Sequence, residues 1–260
     1  MKIMSFNLLC GGDGGRDWPC RAEMVLDMIR RADPDTLGVQ EAHHGWIEAL
    51  CAGLPDYAYV GVGRDDGKTK GEYSAVYYKK EKYDLLDSGS FWLSETPDVP
   101  GVKGWDAACV RICSYAKLRE KDTGRQFVHF NTHLDHRGLV AMQKGAELVT
   151  QKAEEICPDL PAFFTGDFNV TPDSAPYRTV ITGGFRDARE EAPVRDDSPT
   201  FHCEVFVTNH YREDPSIIDD CFVTGDVTIR SFRVLRDVYP GNLYPSDHFP
   251  VLTEVDLPAE

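Results

Sequence analysis

Long apolar runs, closely paired cysteines and basic tracts are all missing from this 260-residue chain, and each absence removes a class of function. No stretch approaches the roughly 20 apolar residues of a membrane-spanning helix, so no membrane association is expected. Cysteine occurs eight times, at 10, 20, 51, 109, 113, 157, 203 and 221, but never as Cys-x-x-Cys, which argues against zinc-ribbon and thioredoxin-like sites. The thiols read as small buried hydrophobes or surface groups. Lysine and arginine form no long run. The least acidic stretch, Lys79-Lys80-Glu81-Lys82, reads as a solvated turn, and the net charge is −15. Without a basic face, phosphate neutralisation cannot supply tight duplex binding. A small phosphorylated molecule, or a nucleic-acid end held through a metal, is still compatible. Despite 16 prolines, no Pro/Gly/Ser-rich hinge, internal repeat or low-complexity tract interrupts the chain. Residues 1–260 are therefore expected to form one domain with a substantial core. The first residues read as a strand rather than a leader, giving an expectation of a cytoplasmic protein, with a monomer as the default.

What is present is a mixed pattern in which strands outnumber helices. Strands are expected at 2–7, 36–40, 57–61, 74–78, 83–91, 108–119, 126–134, 162–166, 217–223, 227–234 and 249–255. Asp17, Trp18 and Pro19 read as the cap and first turn of a helix through Arg31. Further helices are expected at 44–51, 138–156 and 174–182, with Leu139, Met142, Ala146, Val149 and Ala153 at helical spacing in the longest. The stretches 92–107 and 186–216 read as irregular. The fold class is α/β: two packed, mostly antiparallel sheets flanked by helices.

The telling feature is where polar residues end the apolar strands. Asn7 ends the first strand and Glu41 follows residues 36–40. His133 lies near the end of 126–134, Asp167 and Asn169 close 162–166, and Asp247 and His248 open the last strand. A carboxylate, amide or imidazole at a buried strand end is costly without a partner, so ends spread over the whole chain point to one convergent site. Oxygen donors with imidazoles suit a hard divalent ion and a phosphate. In Gly166-Asp167-Phe168-Asn169, glycine allows a sharp change of direction, and Asp167 and Asn169 share a side. An Asx turn is the plain alternative. His248 offers an imidazole that can be charged near neutral pH, with Asp219 as the carboxylate that orients it; Asp220 should point to the other face, into solvent. His133 shares a face with Asn131 and Asp135, which either serve the site or satisfy backbone groups. Arg111, inside an apolar strand, either neutralises phosphate through its fork of donors or forms a buried ion pair. His43 and His44 read as helix-start residues rather than zinc ligands.

Six motifs, in order over nearly the full chain, carry a family resemblance: Ser5-Phe6-Asn7, Val39-Gln40-Glu41, Asn131-Thr132-His133-Leu134, Gly166-Asp167-Phe168-Asn169, Ile218-Asp219 and Ser246-Asp247-His248. Together they resemble the endonuclease/exonuclease/phosphatase superfamily of divalent-metal phosphodiesterases. Phe91-Trp92-Leu93-Ser94 and Thr132-His133-Leu134-Asp135-His136 resemble a bacterial hydrolase subgroup, nearer the deadenylase-like branch than the base-excision endonucleases. The resemblance implies a four-layer α/β sandwich and Mg²⁺ or Mn²⁺, with Glu41 as direct ligand, Asn7 beside it and Asp247 in support. It also implies that Asp167 positions or deprotonates the attacking water, with Asn169 beside it. His248, oriented by Asp219, and His133 would contact phosphate, and Arg111 falls where some family nucleases keep an arginine. The chain departs from the family pattern at Ile217-Ile218-Asp219-Asp220 and at Cys203-Glu204-Val205-Phe206.

The expected activity is metal-dependent phosphoester hydrolysis by in-line attack of water, with a diesterase placed first. RNA 3′-exonuclease, sugar- or inositol-phosphate phosphatase and a non-catalytic binding module are the alternatives; a sphingomyelinase-like activity lacks any membrane-binding stretch. Loops at 11–18, 65–71, 92–107 and 203–214 are the expected rim. Their aromatics, Trp18, Trp92, Trp105, Phe206 and Tyr211, either stack on substrate or pack under the loops.

Overall fold

The computed structural model describes residues 1–10, 19–202 and 216–258. One sheet has seven strands in the order β10 (Val194–Arg195), β12 (Thr228–Val234), β13 (Val251–Asp256), β1 (Lys2–Asn7), β2 (Thr36–Ala42), β4 (Tyr73–Lys79), β3 (Tyr57–Val60). The other has six, in the order β5 (Tyr83–Trp92), β6 (Ile112–Glu120), β7 (Gln126–His133), β8 (Ala162–Asp167), β11 (Asp219–Val223), β9 (Arg186–Asp187). Pairing is antiparallel except for β1–β2, β7–β8 and β10–β12. Helices α1 (Pro19–Ala32) and α2 (His44–Gly53) cover the first sheet, and α3 (Leu139–Ile156) and α4 (Ala175–Thr182) the second; a short α5 (Ala188–Glu191) follows β9. The layers are thus helix, sheet, sheet, helix, as the sequence pattern led us to expect.

Period-two alternation sorts the strands into three cores. Met4, Phe6, Leu37 and Val39 turn outward onto Val25, Ile29, Trp46 and Leu50 of the helices. Val128, Phe130, Phe164 and Phe222 turn outward onto Ala146, Val149 and Val180. Ile3, Phe127, Phe163, Val223 and Val251 meet between the sheets.

The inward faces are graded along each strand. β1 presents Ile3, then Ser5, then Asn7; β7 presents Phe127, His129, Asn131 and His133; β8 presents Phe163, Thr165 and Asp167. An apolar base therefore gives way to a polar layer, and that layer to the site residues. The polar layer is buried and hydrogen-bonded. Gln40 Nε2 donates to Ser5 Oγ (3.0 Å) and Asn131 Oδ1 (2.6 Å), and Asn131 Nδ2 donates to the carbonyls of Val39 and Ala75. Thr165 Oγ1 donates to Asn131 Oδ1 at 3.1 Å and lies 2.8 Å from His129 Nε2. Burial pushes the His129 imidazole down to about 3, so it stays neutral.

The sheets approach closely enough here to require glycine. A Cβ at Gly38 would lie 2.4 Å from both Asn131 Oδ1 and Thr165 Oγ1. Gly38→Ala is expected to destabilise the protein by about 2 kcal/mol, as overpacking in a filled core does. Urea unfolding checks this; a loss under about 0.5 kcal/mol would mean that the layer gives way easily.

Three elements differ from the sequence expectation. The sixth strand starts at Ile112, not at 108, because the Asp135 carboxylate accepts the amides of Ala108 and Cys109 (3.0 and 3.1 Å) and draws that segment off the ladder. Residues 186–195 are not wholly irregular but hold β9, α5 and β10. Leu139 begins α3 but stands 76% exposed rather than joining the buried face. The expected cap at Asp17 lies outside the described residues.

Candidate active site

The ladder itself assembles the site. β7–β8 pairing sets His133 opposite Asp167, and β8–β11 pairing sets Asp219 opposite Asp167. His133, Asp167 and Asp219 thus occupy one rung of three neighbouring strands. From the facing sheet, β1 brings Asn7. Glu41 needs more: the β2–β4 pairing is irregular between Val39 and Ala42, and Glu41 has φ 56°. A bulge of this kind redirects a side chain, and left-handed backbone in a non-glycine residue is a strain common at functional positions. Asn169 also has positive φ, 53°, which asparagine tolerates. Arg21, fully buried, donates to the carbonyls of Leu8, Leu9 and Pro245 and so ties the end of β1 to the segment that carries Asp247 and His248.

Asp167 stands at the centre. Its Oδ2 accepts from Asn7 Nδ2 (2.9 Å) and lies 3.3 Å from His133 Nε2 and 3.6 Å from His248 Nε2. Its Oδ1 accepts the Asn169 amide at 3.0 Å, so the Asx turn is present as well. Burial, with Asp219 and Glu41 nearby, pushes the carboxyl up to about 7 despite the His248 charge. Glu41 receives Asn7 Nδ2 (3.1 Å) and the Cys10 amide (2.9 Å), which hold it below the usual carboxylate range although burial opposes its ionisation.

His248 Nδ1 lies 2.8 Å from Asp219 Oδ2, and its ring packs on Phe201 at 4.8 Å. Burial would favour the neutral ring, but Asp219 and Asp167 hold its pKa well above the ordinary value, so it is an imidazolium. Asp219 is held in turn: Thr200 Oγ1 accepts the amides of Ile218 and Asp219, both at 3.0 Å. His133 is the opposite case. The Asn169 amide nitrogen faces the Leu134 carbonyl (3.0 Å) and His133 Nε2 (2.9 Å). A carbonyl only accepts, so Asn169 Nδ2 is the donor to both, and the His133 proton sits on Nδ1. Burial, together with nearby Arg111, keeps this ring neutral.

These groups surround a hollow of about 340 Å³, lined by Glu41, Asp167, Asn169, His133, Asp247 and His248 together with Arg64, Glu72, Arg111 and His136. Ligand atoms of Glu41, His133 and Asp167 lie within 4.8 Å of one another, as do those of Asp167, Asp219 and His248. Burial also raises the Asp247 carboxyl. Converging buried carboxylates with oxygen donors fit a hard divalent cation.

Some assignments change. Asn7 turns its oxygen to the Leu9 amide (3.0 Å) and its nitrogen to Glu41 and Asp167, so it also ties two carboxylates together. Arg111 precedes the strand instead of lying inside it. Asp135 belongs to the backbone: it accepts the amides of Arg137 and Gly138 as well as those of Ala108 and Cys109. Asp220 is not solvated but buried, 4.0 Å from Arg189 Nε. Trp92 does not line the hollow; it is buried, and its Nε1 donates to the Arg64 carbonyl at 2.6 Å. Trp105 is not among the lining residues either, and its amide is held by Glu95. Tyr211, with Trp18 and Phe206, lies outside the described residues. His43 caps α2, with Nδ1 accepting the Gly45 amide.

Sequence reasoning missed Arg64, Glu72 and Arg21. Arg64 forks onto Glu72 at the hollow, with Nη2 2.9 Å from Oε1. Glu72 opening an apolar strand was the available signal; nothing marked Arg21 within its amphipathic helix.

An α/β/β/α sandwich with a buried acid–imidazole cup at its strand ends is the architecture of a class of phosphoester hydrolases. The chain belongs to the Endonuclease/Exonuclease/phosphatase family, whose model matches residues 4–248. It is similar to a solved endonuclease/exonuclease/phosphatase of Bacteroides vulgatus, with 41% identity, TM-score 0.92, and 99% of this chain and 98% of that one covered. A mannosyl-6-phosphatase of Bacteroides thetaiotaomicron shows 39% identity, TM-score 0.92, and coverage of 99% and 100%. Drosophila melanogaster nocturnin is 23% identical over 280 residues, covering 92% of this chain and 42% of nocturnin. With a Ccr4 exoribonuclease subunit also matching, the chain lies near the deadenylase-like branch, and it spans about half the length of these curated relatives. No helix among the described residues is long and apolar enough to cross a membrane.

Proposed function

We propose that this chain, as one domain, hydrolyses phosphate esters of small polyhydroxylated molecules with the help of Mg²⁺ or Mn²⁺ bound at Glu41, with Asp247 in support. The observation that carries the reading is the position of Asp167: buried, on the shared rung, and in reach of Asn7, His133 and His248 at once. In this reading Asp167 accepts a proton from the attacking water. Asn169 and Asn7 fix the carboxylate that does so. His248, held by Asp219, donates from Nε2 to a phosphoryl oxygen, and His133 donates from Nδ1. The ion, when bound, supplies Lewis-acid stabilisation of the leaving oxygen.

Three features support a small substrate. The hollow is at the lower end of the range for small-ligand sites, roughly 300–1,000 Å³. Arg64 and Glu72, paired at its edge, offer donors and acceptors that suit hydroxyl groups. The mannosyl-6-phosphatase relative acts on a sugar phosphate by its name. A second reading, an RNA 3′ end, rests on the Ccr4 similarity; the net charge of −15 weighs against a long polyanion.

The test is turnover of hexose 6-phosphates, bis-p-nitrophenyl phosphate and a single-stranded RNA oligonucleotide. Chelation with EDTA is expected to abolish activity, and Mg²⁺ or Mn²⁺ to restore it, with hexose phosphates the best substrates. Metal-independent turnover would overturn the role given to the ion, absence of turnover the hydrolase reading, and preference for RNA the substrate.

A further inference from the structure

Arg111 is only 5% exposed and lines the hollow just ahead of β6. The expected ion pair does not use it up. Asp135 accepts four backbone amides, and its Oδ2 stands 3.7 Å from Arg111 Nε. Nη2 meets His136 Nδ1 at 3.1 Å, while Nε and Nη1 have no hydrogen-bond partner among the described residues. The Nδ1 atom of His133, another residue that lines the hollow, is also buried without a hydrogen-bond partner among the described residues. Buried donors left unmet are costly, and a guanidinium in that state, on the wall of a hollow, is built for an anion.

The anion also has a chemistry. A guanidinium keeps its charge and presents a planar fork that matches two oxygens of one phosphate. A phosphate monoester carries close to two negative charges near neutral pH, since its second pKa is about 6. It has one more unesterified oxygen than a diester, which carries a single charge. His248, His133 and the proposed ion already meet the charge common to both. We propose that Arg111 is the specificity-determining residue of this site: its unused donors take the additional unesterified oxygen, so that the chain prefers terminal phosphate monoesters to diesters. This deepens the hydrolase reading above and rests on it. It also reverses the sequence expectation, which placed a diester first.

Two variants test it: Arg111→Met, which removes the charge, and Arg111→Lys, which keeps the charge but not the fork. The kcat/KM ratio of p-nitrophenyl phosphate to bis-p-nitrophenyl phosphate is expected to fall by about 10²-fold in Arg111→Met, the scale of one lost charge-stabilising donor, with partial recovery in Arg111→Lys. Calorimetry of inorganic phosphate with the Mg²⁺-loaded protein is expected to show about tenfold weaker binding in Arg111→Met. A ratio unchanged between wild type and variants, or unchanged phosphate affinity, would overturn the proposal. Should Arg111→Met fail to fold, Arg111→Lys decides on the same two readouts. Should the wild type hydrolyse no ester, the functional reading falls while phosphate calorimetry still decides the role of Arg111.

Discussion

Exchange of Asp167 for asparagine should nearly silence the protein, lowering kcat on its best ester by about 10⁴-fold, the upper end for a lost general base. The size follows from position. Asp167 sits on the central strand of the shared rung, and its Oδ2 faces Asn7 and both imidazoles. No neighbour offers a substitute: Glu41 is engaged by the Cys10 amide and Asn7, and Asp219 by His248. The fold should survive. An asparagine oxygen can still accept the Asn169 amide, and the exchange removes one of several crowded carboxylates while losing one hydrogen bond to Asn7. Stability in EDTA is expected to change by no more than about 1 kcal/mol. Steady-state kinetics and thermal unfolding measured side by side make the check; a folded variant with a tenth of the wild-type kcat would remove Asp167 from the chemistry.

The second large effect belongs to a pair. His248→Ala should cost about 10²–10³-fold in kcat/KM, as loss of one preorganised donor does. Asp219→Ala should cost nearly as much, because without the carboxylate 2.8 Å from Nδ1 the buried ring loses its main charge partner and its fixed orientation. The double variant should be little worse than the more damaged single one, since groups acting as a unit are strongly non-additive. Multiplicative losses in the cycle would mean that Asp219 acts on something other than His248.

Much of this was legible in residue order. Polar residues ending apolar strands marked Asn7, His133 and Asp167, and helical spacing located α3 and, Leu139 apart, its buried face. What could not be read depended on partners distant in sequence. That His133, Asp167 and Asp219 share a rung is a matter of register between strands. The turn at Glu41 arises from an irregular pairing of β2 with β4. Asp135 and Asp220 look like site or surface acids in sequence, yet one is consumed by backbone amides and the other lies near Arg189 in the interior. Trp92 had two readings until its indole N–H met the Arg64 carbonyl. Arg64 looks like an ordinary solvent charge in sequence, because its pairing with Glu72 at the hollow depends on the path of the loop between them.

The shared rung has an evolutionary consequence. Neighbouring strands are spaced by about 4.8 Å whatever their side chains, so the distances among the imidazole and the two acids are a property of the backbone ladder. A larger ester cannot be admitted by spreading them apart. Accommodation falls instead to the connecting segments 61–72 and 92–111, where Arg64, Glu72 and Arg111 reside. Drift in those segments would retune which molecule fits the hollow while the rung stays intact, so a change of fit on this scaffold falls to edits at its margins.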